Sequence, residues 1–315
     1  MKALVLGGYG AVGAPVVRLL RGRGHTAAAA GRDAARADVR IDLGETGLRG
    51  YRRALRGTDV VVNTAGAEDP ALITAAAEAG AAFVDATATT GYIAAAERLA
   101  PAAPVLLSVG LAPGLTNLLA AEAAAVRPRP RSIDIAVLLG AGDAHGRAAE
   151  EWSFGLIGTD FPDPATGEPV RNLTGARTFR IPGHGRRRLY RADFSDQHTL
   201  TRDLGLPVRT RFGLDSRAAT AALAGLTRLP AALRLRPPAG LHLPGSDAWA
   251  LLAEADTGAA LLATGRGQSE GTAALTALAA EAAPALPPGV HHLHRVLSLA
   301  DAAALPGIEV RHRAP

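Results

Sequence analysis

Lys2-Ala-Leu-Val-Leu-Gly-Gly-Tyr-Gly-Ala-Val-Gly-Ala-Pro-Val-Val-Arg-Leu-Leu20 is the stretch that decides the fold. Its apolar run to Leu6 predicts a strand, its pattern up to Leu20 predicts a helix, and the glycines between them fit G-x-G-x-x-G. One glycine of this motif makes a tight turn, one admits a pyrophosphate, and the third lets helix and strand pack closely. Free N–H groups at the helix start favour negative charge. A glycine-rich turn without a ligand is the alternative. The predicted nucleotide cradle comprises Gly7, Gly8, Tyr9, Gly10, Ala11, Val12 and Gly13.

Strand-like and helix-like runs alternate through the residues that follow. Strands are predicted at residues 26–30, 39–43, 59–63, 82–85 and 105–108, with helical patterns between them. The run at 26–30 is mostly alanine, a poor strand former, so only its place in the alternation supports it. This alternation is typical of a doubly wound parallel sheet, and we expect an α/β Rossmann domain over residues 1–126.

The second half of the chain has a different pattern. Arg127-Pro-Arg-Pro-Arg131 is the stiff linker expected between two domains. The later strand-like runs include a hairpin at residues 248–255 and 259–265, and a helix is predicted at 270–283. This pattern indicates an α+β domain with a largely antiparallel sheet over residues 127–289, suited to substrate binding and to formation of a homodimer. Residues 290–315 are expected to return toward the Rossmann domain.

The composition of the 315-residue chain excludes several kinds of chemistry. Because cysteine is absent, disulfides, a thiol nucleophile and cysteine-bound metals are excluded. Lys2 is the only lysine, which excludes a Walker A motif, a Schiff-base enzyme and the Tyr-x-x-x-Lys pair of short-chain dehydrogenases. Proton transfer would therefore use His, Asp, Glu, Tyr or water.

Charge and hydropathy bear on partners and location. The pI is about 10.3, but the net charge is only +5 and aromatic residues make up 4% of the chain. This composition favours a solvated basic surface over a nucleic-acid site. No apolar run reaches the ~18 residues that a membrane helix needs, and no secretory signal is recognised. We expect a cytoplasmic protein that binds neither nucleic acid nor membrane.

The end of the second predicted strand bears on the choice of cofactor. NAD enzymes usually place an acidic residue there for the ribose 2′-OH, whereas NADP enzymes place an arginine near the 2′-phosphate. Here Gly31 ends the strand, Arg32 follows, and Arg36 lies one turn further, although Asp33 is also close. The pattern favours NADP, with NAD possible. Arg36 alone would be read as a surface helix residue. Asp42 after the third strand either contacts adenine or caps the following turn.

Residues at the carboxyl ends of later strands are expected to pass near the nicotinamide. Ligands of open α/β sheets bind outside the carboxyl ends of the strands. The loop that follows the sixth strand leaves the sheet where the nicotinamide is expected. Thr116, at the end of this loop, is predicted to be the N-cap of the next helix. The residues predicted at this end of the cofactor are Asn63, Thr64, Ala65, Gly66, Thr87, Gly110, Leu111 and Pro113.

Several segments resemble the saccharopine-dehydrogenase-like oxidoreductases. The matching segments are Leu6-Gly-Gly-Tyr-Gly-Ala-Val-Gly13, Val61-Val-Asn-Thr-Ala-Gly66, Ala79-Gly-Ala-Ala-Phe-Val-Asp85, Ser108-Val-Gly-Leu-Ala-Pro-Gly-Leu-Thr-Asn117 and Pro288-Gly-Val-His291. The resemblance implies a Rossmann domain joined to an α/β substrate and dimerisation domain, with NAD(P)-dependent hydride transfer at a carbon–nitrogen bond. The chain is shorter than the full amino-acid-pathway enzymes and lacks an acid–base lysine. These departures favour a divergent member acting on another amine, imine or carbonyl.

The candidate acid–base residues lie mainly in the second half. His145 follows a predicted strand, and Glu151 neighbours Glu150 on a different helix face. The segment Asp193-Phe-Ser-Asp-Gln-His198 reads as a short loop dense in polar groups, with Asp196 and His198 as the strongest candidates. Tyr92 lies near the expected cofactor edge. For each of these residues, the alternative is a structural role at the surface or in packing.

Two further clusters are interpreted as structural. His291 and His294 would share a helix face, but no matching third ligand is evident, so no metal site is predicted. The run Arg186–Arg188 is either a solvated turn or a group that steers an anionic substrate.

The sequence supports one leading hypothesis and two alternatives. The leading hypothesis is an NADP-dependent oxidoreductase acting at a C–N or carbonyl carbon of a small polar metabolite. The second is an NAD(P)-binding sensor or regulatory protein without turnover. The third is an atypical short-chain carbonyl reductase, because Gly7, Gly10 and Gly13 also fit G-x-x-G-x-x-G, although the long second domain argues against it.

Overall fold

A computed structural model describes residues 1–142, 152, 154–229 and 245–313. The chain divides into two compact units, residues 1–114 with 269–298 and residues 115–268 with 299–315. Among the described helices, none is long and apolar enough to cross a membrane. Elements are numbered below in chain order across both units.

The first unit is built on a seven-stranded parallel sheet. Its strands are β1 (Lys2–Leu6), β2 (Thr26–Gly31), β3 (Val39–Arg40), β4 (Val60–Asn63), β5 (Ala82–Asp85), β6 (Pro104–Leu107) and β15 (Gly289–His292), in the order β15-β6-β5-β4-β1-β2-β3. Its helices are α1 (Gly13–Gly22), α2 (Arg49–Ala54), α3 (Pro70–Glu78), α4 (Thr90–Glu97) and α8 (Gln268–Ala282). This is a doubly wound Rossmann sheet, which confirms the predicted fold class.

Burial explains why these runs form strands. The central strands β4 and β5 are buried along their whole length, as expected for a parallel sheet covered on both faces. Strand β2 forms despite its alanines because β1 and β3 pair with it on either side. Its small side chains also let the glycine turn pass closely, since a Cβ on Gly8 would lie 2.6 Å from Ala29 Cα.

The second unit carries a mostly antiparallel seven-stranded sheet in the order β10-β11-β12-β7-β13-β14-β16, in which only β7 and β12 pair in parallel. Its strands are β7 (Ile133–Leu139), β10 (Thr174–Ile181), β11 (Gly185–Arg191), β12 (Val208–Leu214), β13 (Ala248–Ala255), β14 (Ala260–Arg266) and β16 (Ile308–Arg313). A separate hairpin joins β8 (Asp160–Pro162) and β9 (Pro169–Arg171). Helices with described bounds include α5 (Leu115–Ala125), α6 (Ser195–Leu204), α7 (Arg217–Leu226) and α9 (Leu299–Ala303). The predicted α+β class is confirmed.

The division of the chain differs from the predicted boundaries at 126/127 and 289/290. The chain passes between units at Gly114 and Leu115, because α5 packs on β13 and β14 of the second sheet. Helix α8 lies almost entirely in the first unit, where Thr276 Oγ1 donates to the Val109 carbonyl oxygen at 3.4 Å. The C-terminal segment is shared, since β15 joins the first sheet and β16 joins the second.

Three local predictions were wrong. The polar stretch 193–198 is a loop only up to Phe194, because α6 begins at Ser195 and buries its first residues. Thr116 lies inside the first turn of α5 and is not its N-cap. His291 and His294 do not share a helix, because pairing with β6 draws residues 289–292 into a strand and residues 293–295 form a short 3-10 turn.

Candidate functional site

The glycine loop between β1 and α1 is held tightly by backbone hydrogen bonds. The N–H of Gly7 donates to the Ala30 carbonyl at 2.9 Å, and that of Gly10 donates to the Gly7 carbonyl at 2.8 Å. A Cβ on Gly13 would collide with the Gly7 carbonyl and lie 2.6 Å from Thr64 Oγ1. The third glycine of the motif therefore lets the helix start pack on its neighbours, as the motif requires.

The loop also offers free hydrogen-bond donors. Within the part of the chain that the structure describes, the N–H groups of Ala11 and Val12 have no backbone or side-chain acceptor. The first turn of α1 contains no acidic residue, and Val12 at its N-cap makes no side-chain cap. The helix dipole adds partial positive charge at this end. These donors and the close glycine packing fit a pyrophosphate group.

The end of β2 meets the glycine loop through Tyr9. A Cβ on Gly31 would lie 2.6 Å from Tyr9 Oη, so the tyrosine ring needs the glycine. Tyr9 Oη accepts a hydrogen bond from the Asp33 N–H at 3.1 Å. The Arg36 guanidinium lies 4.6 Å from the centre of the Tyr9 ring and donates to the Tyr9 carbonyl at 2.9 Å. Arg36 is thus held against the loop, although its side chain is exposed, as is that of Arg32.

These residues border an open groove of about 520 Å³ lined by Gly8, Tyr9, Arg18, Arg21 and Arg36, among others. The sequence pattern favoured Arg32 and placed Arg36 one turn further, and the structure places Arg36 at the edge of this groove. The contact between Arg36 and Tyr9 is visible only in the fold, because the two residues are 27 positions apart along the chain.

The structure shows one of the two predicted roles of Asp42, the contact with the following turn. Its Oδ1 accepts the Gly44 N–H at 3.0 Å, so the side chain caps the turn after β3. The side chain is exposed, and this turn supplies its only hydrogen bond among the described residues. A contact with adenine stays a prediction.

The carboxyl ends of β4 and β5 are joined by a buried hydrogen-bond network. Asn63 Nδ2 donates to Asp85 Oδ2 at 3.0 Å, and the Tyr92 hydroxyl donates to the same oxygen at 2.7 Å. The Thr87 N–H donates to Asp85 Oδ1 at 2.8 Å. Thr64 donates from its hydroxyl to the Leu6 carbonyl at 2.7 Å, which ties the next residue to β1. Together, these hydrogen bonds hold in place four residues that were predicted to lie near the cofactor, namely Asn63, Thr64, Ala65 and Thr87.

The electrostatics of this network favour a positioning role for Tyr92. Burial raises the pKa of Asp85, and the donors from Thr87, Asn63 and Tyr92 only partly offset that effect. Burial, followed by the neighbouring Asp85 carboxylate, raises the pKa of Tyr92 far above its ordinary value. A buried phenol with so high a pKa is a poor proton donor near neutral pH. The prediction of catalysis by Tyr92 gains no support from this geometry.

Substitution of Tyr92 by phenylalanine tests this role. The change removes a hydrogen bond to a buried carboxylate, so we expect a loss of about 1–3 kcal/mol in the free energy of unfolding, measured by circular dichroism in urea. Tyr51→Phe is the matched control, because its buried hydroxyl donates to the neutral Leu72 carbonyl at 3.0 Å and should cost less. An equal cost for both variants would contradict the argument.

The loop after β6 is also buried. The Gly110 N–H donates to the Pro113 carbonyl at 2.9 Å, and Leu111 is only 4% exposed. Beside it, Ser108 Oγ lies 3.0 Å from His292 Nδ1, and His292 Nε2 lies 2.8 Å from Glu97 Oε1. This contact fixes β15 to the sheet. The sequence did not indicate it, since the three residues are far apart along the chain.

The strongest predicted acid–base residues lie in the second unit. Asp196 is fully buried, and its Oδ1 accepts the Thr210 hydroxyl at 2.7 Å. Burial raises the pKa of Asp196 despite its hydrogen bonds. His198 is partly exposed, and its Nε2 lies 2.8 Å from Asp193 Oδ1. The predicted candidates His145 and Glu151, with Glu150, lie outside the described residues.

Comparisons with known proteins bear on the fold of the whole chain. No family model matches the sequence, and no curated protein matches it. Among solved structures, the chain resembles apo saccharopine dehydrogenase (L-Glu forming) from Saccharomyces cerevisiae, with 13% identity, a TM-score of 0.64, and coverage of 99% of this chain and 100% of that one. It also matches amine dehydrogenase from Mycobacterium smegmatis, with 14% identity, a TM-score of 0.48, and coverage of 95% and 96%. Only the first is similar enough to support a statement about fold. The chain has the fold of saccharopine dehydrogenase, as its sequence motifs implied.

Proposed function

We propose that the protein is an NADP-dependent oxidoreductase acting at a C–N or carbonyl carbon of a small polar metabolite. The observation that carries the proposal is the glycine loop, where Gly8 and Gly13 have no room for a side chain and free N–H groups begin a helix. The saccharopine dehydrogenase fold supports the reaction class. When bound, the nicotinamide would donate or accept a hydride.

In this proposal, the residues of the first unit hold the cofactor. The N–H groups of Ala11 and Val12 bind the pyrophosphate, and Arg32 with Arg36 binds the 2′-phosphate at the end of β2. The nicotinamide side is lined by Asn63, Thr64, Ala65, Gly66, Thr87, Gly110, Leu111 and Pro113. The buried Asp85 network keeps several of these positions in place.

Proton transfer is assigned to the second unit. His198 is the better candidate, because it is partly exposed and hydrogen-bonded to a carboxylate that orients its ring. Asp196 is fully buried and better suited to holding the start of α6 through Thr210. Homodimer formation and a cytoplasmic location remain predictions, and light scattering after gel filtration tests the first.

The cofactor assignment is tested with Arg32→Ala and fluorescence titration. Removing a charged hydrogen-bond donor to the 2′-phosphate should weaken NADPH binding by about 10- to 100-fold and leave NADH binding unchanged. Arg98→Ala is the matched control, because Arg98 is an exposed arginine at the C-cap of α4 and is not among the predicted cofactor contacts. Tighter binding of NADH than NADPH by the wild type would refute the NADP assignment. Absence of saturable binding of either cofactor at tens of micromolar would refute the function itself.

A second candidate is a NAD(P)-binding sensor without turnover. The complete burial of Asp196 and the near-complete burial of Tyr92 favour it, since both were predicted acid–base groups. NADPH oxidation measured with a panel of imines, and of carbonyl compounds with ammonia, separates the two. Saturable NADPH binding without oxidation across the panel favours the sensor.

A further inference from the structure

A basic groove opens in the second unit where β11 separates from β12. Strand β11 pairs with β10 along its length, but with β12 only at Tyr190 and Arg191. The residues before Tyr190 therefore face the start of α7 across a gap. The resulting cavity has a volume of about 350 Å³ and is lined mainly by Arg186, Arg187, Arg188, Tyr190, Arg217 and Thr220. This size is at the lower end for small-molecule pockets.

The arginines of this groove differ in their charge environment from the other arginines of the same strands. Among the residues that the structure describes, no carboxylate forms an ion pair with Arg186, Arg187, Arg188 or Arg217. The Nε atom of Arg187 is buried and has no hydrogen-bond partner in the same described part of the chain.

Other arginines of the same strands are paired with carboxylates. Arg177 on β10 contacts Asp134 and also Glu254, the latter at 2.6 Å. Arg191, at the far end of β11, lies 3.0 Å from Asp163. Like charges that converge without counter-charges repel one another. Side chains alternate along a strand, so Arg186 and Arg188 lie on one face of β11 and Arg187 on the other. All three line the cavity together with Arg217, and the absence of a described counter-charge indicates that an anion from outside the chain supplies it.

The backbone of β11 also presents N–H and C=O groups to this gap. Arg217 Nη2 donates to the Arg186 carbonyl across the gap at 3.3 Å, so the peptide groups of Arg186 point into the groove. Because alternate residues of a strand direct their N–H and C=O to the same side, the Arg188 N–H also faces the gap. Arg217 is the first residue of the ten-residue helix α7. The positive end of the helix dipole therefore lies beside the groove.

The titratable neighbours do not neutralise the groove. Burial, followed by the charge of Arg187, lowers the pKa of His184. Asp215 is the nearby acid, but its carboxylate accepts the N–H of Ala141 at 2.8 Å and the N–H and hydroxyl of Ser246 at 2.7 and 2.8 Å. The carboxylate is thus directed to other partners.

We propose that this groove binds a small molecule carrying an oligophosphate group. Guanidinium groups form paired, parallel hydrogen bonds with phosphate oxygens, and several arginines around one cavity match the high charge of linked phosphates. The site is distinct from the glycine loop, because all of its lining residues belong to the second unit. The bound molecule is either a nucleoside polyphosphate or an inorganic oligophosphate.

Isothermal titration of the full chain with sodium tripolyphosphate and with ATP tests the proposal. We expect saturable binding that weakens as salt is raised, and at least ~10-fold weaker binding in the double variant Arg186→Gln/Arg188→Gln. Tighter binding of ATP identifies a nucleotide site, and tighter or equal binding of tripolyphosphate identifies an inorganic or general oligophosphate site. If the double variant does not fold, Arg217→Gln, at an exposed helix start, replaces it.

The matched control is Arg56→Gln/Arg228→Gln, which removes the same charge from two exposed arginines outside the groove. The control should bind tripolyphosphate as the wild type does, and both double variants should keep the wild-type NADPH affinity. Equal tripolyphosphate affinity of the wild type and the groove variant would overturn the proposal, since it would place the phosphate elsewhere, for example on the glycine loop. Absence of saturable binding by the wild type would overturn it as well.

Discussion

Replacement of Gly13 by alanine is expected to weaken NADPH binding by at least about 100-fold, which corresponds to about 2.7 kcal/mol. The new Cβ would collide with the Gly7 carbonyl and approach Thr64 Oγ1 to 2.6 Å. Because the obstructing atom at Gly7 is backbone, the loop itself must move. Movement of the loop displaces the N–H groups that receive the pyrophosphate. Fluorescence titration with NADPH measures the effect.

Gly22→Ala is the matched control for this variant. Gly22 ends the same helix, and a Cβ there would meet nothing within 4 Å. The same substitution should therefore leave NADPH affinity unchanged, and the higher helix propensity of alanine should keep or slightly raise stability. Circular dichroism of both variants separates loss of binding from loss of folding. Wild-type NADPH affinity in folded Gly13→Ala would contradict the assignment of the loop as the phosphate cradle.

The first unit could be predicted well because its signals are local. A buried strand, a glycine turn and a helix follow one another within twenty residues, and each has its own sequence pattern. The alanine run of β2 is the informative exception. It forms a strand because of its neighbours β1 and β3 and its contact with Gly8, so only its position in the alternation could indicate it.

The second unit was harder to predict because its features depend on distant contacts. The polar density at 193–198 suggested a functional loop, but Asp196 is buried in a helix against Thr210 of β12. Buried polar groups need partners, and those partners cannot be read from spacing along the chain. The same holds for His292, which bonds to Ser108, and for Arg36, whose partner Tyr9 lies on the preceding loop. In each case the residue type predicted a polar or charged side chain, but only the fold shows which partner that side chain contacts.

Removal of the Asp163 carboxylate should have the largest effect on stability. Arg191 is only 6% exposed, and its guanidinium bonds to Asp163 Oδ2 at 3.0 Å and to Gln197 Oε1 at 3.2 Å. Asp163→Ala leaves a buried cation with one neutral partner, which should cost about 3–5 kcal/mol in the free energy of unfolding. Both tryptophans, Trp152 and Trp249, belong to the second unit, so their fluorescence in urea reports on the unit that contains the pair.

Asp160→Ala is the control, and pH supplies an independent test. Asp160 lies in the same hairpin, but its pair with Arg171 at 2.8 Å is exposed, so its loss should change the unfolding midpoint little.

Although burial raises the pKa of Asp163, hydrogen bonds from the Ala165 and Thr166 N–H groups and from Arg191 lower it below its ordinary value. A carboxyl with a lowered folded-state pKa stabilises the protein above its unfolded pKa, about 3.9, and that contribution is lost as the pH falls through the lower folded value. The stability difference between wild type and Asp163→Ala should therefore be constant from about pH 5 to 7 and shrink below about pH 4. A difference that stays the same at all pH values would show that lost packing, and not the buried ion pair, causes the destabilisation.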